Sequence, residues 1–443
     1  MNGEQSVPLK LERTTLESAA ATPRDQVMRA SWYALFIMTL IHSTHYLDRI
    51  VVSIVIEPIR HEFGLSDSQL GLLTGLVYGL TFAVAGLPLG YLVDRVNRRN
   101  LLAIVVLCWS CFTAFAPFAQ SFSQLLLARM AVGAAEAGGS PTSMSMISDL
   151  FPPRKRSTAM GVLFLSTSVG AAGSAIIGSY VAVHYGWRAA FLIAGLPGAI
   201  FASILLLTVK EPRRGAMDPA RVEPKAMPSL KETARFLVGQ KSLRHLFIAM
   251  PLAIMAISAN SAWLVAFLMR VHHLDLAHAS IVAGVTFGGF SAAGSILGGL
   301  LSDRVGKVIA GRRIGLAAAT SLLAVPVAVA ATLVENTPLA IASWFILAML
   351  AFSTIPPTFG SMVSLAKPRM RGITLAGMQV VTNLIGYGLA PFVVGMLSDV
   401  VGGENSLRMA LLIVMCGSLL WAALHFYCAS RHFEKDMARA AQL

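Results

Sequence analysis

The chain has 443 residues, of which 56% are hydrophobic and only 13% charged, with a mean hydropathy of +0.68. A soluble chain carries about 25% charge, so a soluble enzyme or binding domain is excluded and a polytopic membrane protein is implied. The formal charge of +13 suggests nucleic acid only until its distribution along the chain is read.

Residues 1–30 are polar and mixed in charge, without the short basic-then-apolar layout of a cleavable leader. They read as a cytoplasmic tail. Twelve apolar runs follow, over 32–56, 69–93, 101–119, 124–150, 157–183, 189–209, 245–270, 279–302, 314–334, 339–366, 372–398 and 407–428. Each suits a membrane-crossing helix, and the glycines and prolines inside them are tolerated in such helices. The first run holds Tyr46-Leu47-Asp48-Arg49. A charge at that depth costs on the order of 3 kcal/mol or more unless it faces a partner or water. The pair is therefore either a structural ion pair between helices or part of a polar pathway.

Lysine and arginine fall almost entirely on one side. With the N-terminus cytoplasmic, 29 lie in cytoplasmic segments and four opposite, namely Arg60, Arg188, Arg270 and Arg408; Arg49 and Arg129 are within spans. This bias places both termini inside and assigns the basic residues to the anionic leaflet, not to nucleic acid. The longest polar stretch, 210–244, contains Pro219–Lys225 and then an expected amphipathic helix around Ser229–Leu237. It divides the chain into six-helix bundles over 31–209 and 245–428, with a C-terminal tail over 429–443. Gly90-Tyr91-Leu92-Val93-Asp94-Arg95 recurs as Gly299-Leu300-Leu301-Ser302-Asp303-Arg304, displaced by 209, and Pro153-Arg154-Lys155-Arg156 as Pro368-Arg369-Met370-Arg371, displaced by 215. Two echoes at nearly one displacement indicate a duplicated unit with its site between the halves. The predicted fold is all-α: twelve transmembrane helices in two pseudo-symmetric bundles.

In the fourth run Glu136 is near the middle, and Arg129, seven residues earlier, shares its face roughly 10 Å away along the axis. Each needs a partner from another helix. The expectation is contact among Asp48, Arg49 and Glu136, with motion of the halves changing a carboxylate's proton affinity as an arginine approaches or leaves. His42 and His45 share the Arg49 face and either relay protons, cap a water-filled cavity or bond a backbone carbonyl. Ser140 and Met144 follow on the fourth helix; Met suits a site that fits a flexible chain, though packing accounts for any single one. Asn260 and Trp263 share a face of the seventh and are candidates for the second half of the cavity. Gly90, Asp94, Arg95 and Arg98, echoed by Asp303 and Arg304, are expected to form a cytoplasmic gate in which Gly90 permits close helix approach and Asp94 takes a helix N-terminus or a loop arginine. Gly170, Gly173 and Gly178 read as packing positions, and Pro356-Pro357 as a break in the tenth run. Cys108-x-x-Cys111, with Cys416 and Cys428 in other spans, reads as packing despite its redox spacing. Neither a metal cluster nor a phosphate-cradling loop or nucleophile elbow is evident, so no cofactor, metal or enzymatic role is assigned.

Gly90 to Arg99, ending a span with Gly-x-Leu-x-Asp-Arg and continuing Asn97-Arg98-Arg99, resembles the cytoplasmic loop motif of the major facilitator superfamily. Within it the first half resembles the spinster-like family through Tyr46–Arg49, Gly64–Leu73, Asp94–Arg98, and Gly133–Ala137 running on to Ser148–Pro153 and Arg156, with Gly186-Trp187-Arg188 before the sixth run. The resemblance implies a lipid transporter for lysophospholipids or sphingosine phosphate, proton-coupled in bacteria, with Asp48, Arg49, Arg129 and Glu136 at the coupling and central polar positions. It implies a monomer by analogy, in a bacterial inner membrane. Organic-anion symporters of the superfamily carry a similar first span. They stand as the alternative, and a lipid sensor that no longer transports is a second.

Overall fold

The computed structural model describes residues 23–217, 230–307, 309–367 and 370–442. The tail over 1–22, Pro219–Lys225, Ser229, Pro368 and Arg369 lie outside the described residues. Among those described every regular element is a helix.

Span 1 is Pro23–Ile54, followed by a short helix Ile56–Phe63. Span 2 is Asp67–Val93 and span 3 Arg98–Phe118. Span 4 is broken into Phe122–Glu136 and Gly139–Leu150. A single apolar stretch, Thr158–Thr208, has 51 residues, roughly 76 Å of helix and enough for two crossings. It bends at Gly186, whose φ of 84° is a left-handed conformation that glycine adopts without strain. Spans 5 and 6 therefore cover 153–185 and 187–208. A surface helix, Leu230–Gly239, lies where the amphipathic segment was expected. Spans 7, 8 and 9 are Lys241–Val271, Leu276–Gly306 and Arg312–Leu333. Span 10 breaks between Thr337–Phe352 and Ile355–Leu365, next to Pro356-Pro357 as predicted. Spans 11 and 12 are Arg371–Val401 and Ser406–Gln442. Nine stretches among the described residues are long and apolar enough to cross a membrane. The double stretch, together with the charged spans 1 and 4, brings the crossings to twelve.

The two bundles repeat one packing scheme. In the first half Gly170 of span 5 sits so close to span 1 that a Cβ there would meet Ser43 O at 2.5 Å and Tyr46 Cβ at 2.6 Å. In the second, a Cβ at Gly386 of span 11 would meet Ile254 of span 7 at 2.6 Å. The two glycines are displaced by 216 residues and their partners Tyr46 and Ile254 by 208, which extends the sequence echo into three dimensions. With twelve crossings, the described residues begin and end on one face, here termed the terminal face; the other is the distal face.

Several expectations on the terminal face need correction. Space beside Gly90 is open, with nothing within 4 Å of a built Cβ, so no helix approaches it. Asp94, Arg95, Asp303 and Arg304 are exposed, and Arg95 stacks on Tyr91 at 3.7 Å instead of crossing between halves. Arg98 is buried but tied within its own half. It bonds Asp149 at 2.5 Å, Glu211 at 2.8 Å and the Pro212 carbonyl at 2.7 Å. Cys108 and Cys111 face outward, exposed and unpaired, so they meet lipid and not a packed core. The hydrogen bonds that join the halves, described below, lie on the distal face.

Candidate functional site between the halves

On the distal face the halves are fastened together. Arg270, at the end of span 7, donates to Glu57 Oε1 at 2.7 Å and Asp67 Oδ2 at 2.8 Å, both in the first half. Asp67 also accepts from Ser398 Oγ at 2.6 Å. The backbone amides of Asp67 and Ser68, at the start of span 2, donate to Asp399 at 2.9 and 2.8 Å. A carboxylate at a helix N-terminus is favoured by the orphan amides and the helix dipole. Below this clasp span 2 lies directly on span 11. A Cβ on Gly79 would stand 2.8 Å from Gly388 Cα and 2.9 Å from Asn383 O. None of Glu57, Asp67, Arg270 and Asp399 was assigned a role from the sequence, although Arg270 stood out as one of four basic residues on this side and Asp67 lies in the Gly64–Leu73 stretch. Glu57 and Asp67 are almost wholly buried, which sequence position alone does not reveal.

Deeper in, charged side chains of spans 1 and 4 converge with Tyr78 of span 2. Gly133 is pressed against Tyr78 O and Thr81, so span 4 lies on span 2 and Tyr78 reaches the residue one turn on. Its hydroxyl donates to Glu136 Oε2 at 2.5 Å, and His45 Nε2 stands 3.0 Å from the same oxygen. Arg129 Nη1 stands 3.5 Å from Asp48 Oδ2. The helix break after Glu136 is followed by Gly138-Gly139. His42 lies one step further, its Nδ1 against its own Met38 carbonyl at 3.1 Å and its Nε2 at 3.5 Å from Ser140 Oγ.

The cluster differs from expectation at Arg49. That side chain does not pair with a carboxylate; its guanidinium lies over Tyr78 at 5.2 Å and over Tyr387, from span 11, at 4.1 Å. Successive residues of a helix point about 100° apart, so Asp48 faces span 4 while Arg49 faces the other half. The aromatic partners Tyr78 and Tyr387 were missed; nothing in a lone tyrosine within an apolar run marks it. Met144 is half-buried on the second part of span 4. Asn260 is buried, with its Oδ1 making no hydrogen bond to protein. Trp263 does not line a cavity: it is core, fully buried, and its indole donates to Pro391 O at 3.1 Å.

Asp48, Arg129 and Glu136 are each no more than 2% exposed, yet their hydrogen bonding is incomplete. Neither oxygen of Asp48 bonds a protein donor, nor does Glu136 Oε1 bond one, and Arg129 Nε has no acceptor. Buried polar atoms are nearly always paired, so these call for a partner other than the surrounding protein, such as water, an ion or a ligand. Two carboxylates, a guanidinium, an imidazole and a phenol thus converge in one largely buried cluster whose members can exchange partners with little movement. Among the described residues no group of three His, Cys, Asp or Glu could hold a metal.

Comparison with known proteins agrees with this architecture. The sequence profile of the Major Facilitator Superfamily matches residues 38–391. An MFS-type efflux pump of Mycolicibacterium smegmatis is 27% identical over 94% of this chain and 96% of its own. The sphingosine-1-phosphate transporter SPNS2 of Danio rerio is 26% identical over 80% and 73% respectively. A probable L-galactonate transporter of Escherichia coli is 27% identical over 63% of each. In three dimensions the chain resembles a bacterial homologue of the human lysosomal transporter Spinster, crystallised in an inward-facing, unoccupied conformation. The TM-score is 0.82 at 28% identity, covering 92% of this chain and 98% of that one.

Proposed function

The chain belongs to the major facilitator superfamily, and on that premise we propose that it is a proton-coupled secondary transporter moving a lysophospholipid or sphingolipid-like amphiphile by alternating access. It is a multi-pass membrane transporter and not an enzyme. The observation that carries the finer reading is the under-bonded cluster of Asp48, Arg129, Glu136, His45 and Tyr78 beneath a clasp that joins the halves. A buried carboxylate held against a guanidinium releases its proton, and one left without a cation keeps it. Movement of span 1 against span 4 would therefore load and unload Asp48. Glu136 would exchange with His45 through the contact they share.

In this reading both termini are cytoplasmic, the membrane is the bacterial plasma membrane, and the clasped distal face makes the conformation inward-facing. The bundles over 31–209 and 245–428 rock about the site as a monomer, with the 210–244 linker on the membrane surface. The similarity to the SPNS2 protein and to the spinster homologue supports a lipid-like substrate. The similarity to the L-galactonate transporter favours a second reading, a symporter of small organic anions in which Arg49 or Arg129 takes the carboxylate.

Reconstitution decides between them. Purified protein in liposomes is given an imposed pH gradient and a fluorescent lysophospholipid, wild type beside Asp48→Asn and Glu136→Gln. Gradient-driven lipid movement in wild type that is lost in both variants is expected. Proton flux driven by sugar acids but not by lysolipid would select the second reading. Tight lipid binding without flux would instead describe a sensor.

A further inference from the structure

Arg49 is held by faces, not by charges. Its guanidinium lies 5.2 Å from the Tyr78 ring centroid and 4.1 Å from that of Tyr387. Spans 1 and 2 belong to the first half and span 11 to the second. A planar guanidinium stacked on aromatic rings keeps its in-plane N–H groups free. A carboxylate partner would consume both the charge and that edge. An arginine set over two rings with no carboxylate partner, half-buried between two bundles, thus has N–H groups to offer to an oxyanion.

The placement of Tyr387 is built, not incidental. It lies in a π-helical turn, Thr382–Leu389, and such turns free backbone groups and are frequent at functional sites. Here Ser258 Oγ of span 7 donates to the Tyr387 carbonyl at 3.3 Å. The flanking glycines seat the turn on both neighbours. A Cβ on Gly386 would strike Ile254 at 2.6 Å, and the approach of Gly388 to Gly79 is closed to a Cβ on the span 2 side at 2.8 Å. This Gly-Tyr-Gly turn therefore anchors span 11 to span 7 and to span 2 while presenting one ring to Arg49.

Resting on the transport reading above, the geometry points to Tyr387 as a positioning residue that, with Tyr78, orients Arg49 to capture the oxyanion of the substrate headgroup, phosphate or carboxylate. The cage is complete only while span 11 lies on span 2, so capture is tied to the distal face being closed. When that face opens Tyr387 leaves with the second half, and the arginine loses its orientation as the substrate is presented to the other side.

The test is equilibrium binding of radiolabelled lysophosphatidate to the full-length protein in nanodiscs, with the matching monoacylglycerol as the phosphate-free control and glucarate as the chain-free one. Wild type and Tyr387→Phe are expected to prefer lysophosphatidate. Tyr387→Leu should bind lysophosphatidate about tenfold more weakly, the scale of one cation–π contact, with monoacylglycerol binding unchanged. Arg49→Lys keeps the charge but gives up the plane, and should show the same selective loss. It serves as the second variant if Tyr387→Leu folds poorly. Glucarate competing as well as lysophosphatidate would assign the oxyanion to a small acid and leave the cage standing. Equal losses in Phe and Leu, or undiminished discrimination in Leu and Arg49→Lys, would overturn the role of Tyr387. A wild type that binds both acyl probes alike and ignores glucarate would overturn the anion-binding reading first, and the cage with it.

Discussion

Replacing Arg270 by Gln should open the distal face. The guanidinium makes charged hydrogen bonds to Glu57 and Asp67, whose side chains are 4% and 5% exposed, and is itself 17% exposed. Removing one partner of a buried ion pair costs about 3–5 kcal/mol when the remaining charge stays buried. Here there is an escape, because separating the halves lets water reach both carboxylates. The cost therefore falls on the clasped state relative to the open one. Taking about 3 kcal/mol, the equilibrium moves roughly a hundredfold toward distal opening. Arg270→Lys keeps the charge without the fork, so its shift should be smaller. Nitroxide labels at Ser123→Cys and Glu404→Cys, both exposed at the distal face of opposite halves, in a background lacking the four native cysteines, would report this by pulsed dipolar spectroscopy. A new population at longer distance is expected in Arg270→Gln. A distribution identical to that of unmutated Arg270 would refute the reasoning and reduce the clasp to surface decoration.

Other outcomes follow from the same contacts. Gly79→Ala forces its Cβ into Gly388 and the Asn383 carbonyl; overpacking of this kind costs about 1–3 kcal/mol, so the same label pair should lengthen. Arg98→Gln leaves Asp149 and Glu211 without their cation. About 3 kcal/mol or less is expected as a lowered Tm, because Glu211 is partly exposed. Hydrogen bonds from Arg188 and Trp187 hold the Glu62 carboxyl below the ordinary 4.5, against an opposing push from burial. A depressed carboxyl stabilises the fold above its ordinary value, and that contribution is lost as pH falls through the lowered one. Glu62→Gln should thus melt below wild type at neutral pH and converge with it in acid; a constant gap in Tm across pH would exclude this linkage. The pair is two-fifths exposed, so the effect is small.

The spans were readable because hydropathy is a property of composition, and a duplicated half writes its displacement into the chain. The break at Pro356-Pro357 was readable because proline removes a donor. Side-chain direction was not. Asp48 and Arg49 are neighbours in sequence, yet one meets Arg129 and the other Tyr387. The pairing of buried charges with a helix of the same half was visible in outline from Arg129 and Glu136; which cation meets which carboxylate depends on rotation about span 1. The distal clasp was invisible because Asp67 and Arg270 are 203 residues apart and look like loop residues. A signal was nonetheless present: Gly71, Gly75 and Gly79 recur every four residues on span 2, a stripe that lets another helix come close. The gate was expected on the terminal face because the sequence motif lies there, whereas the hydrogen bonds found between the halves lie on the distal face.

Span 12 runs unbroken for 37 residues, roughly 55 Å, where about 30 Å crosses the hydrocarbon. Its protruding part does not hang free: Phe433 is buried, and Asp436 accepts from the Ser242 amide at 2.7 Å, joining it to the start of span 7. The protein therefore carries a rigid mast fixed to one bundle. A reporter domain joined to it in continuous helix would inherit the tilt of the second bundle, so that any change in that tilt could be read from outside the membrane.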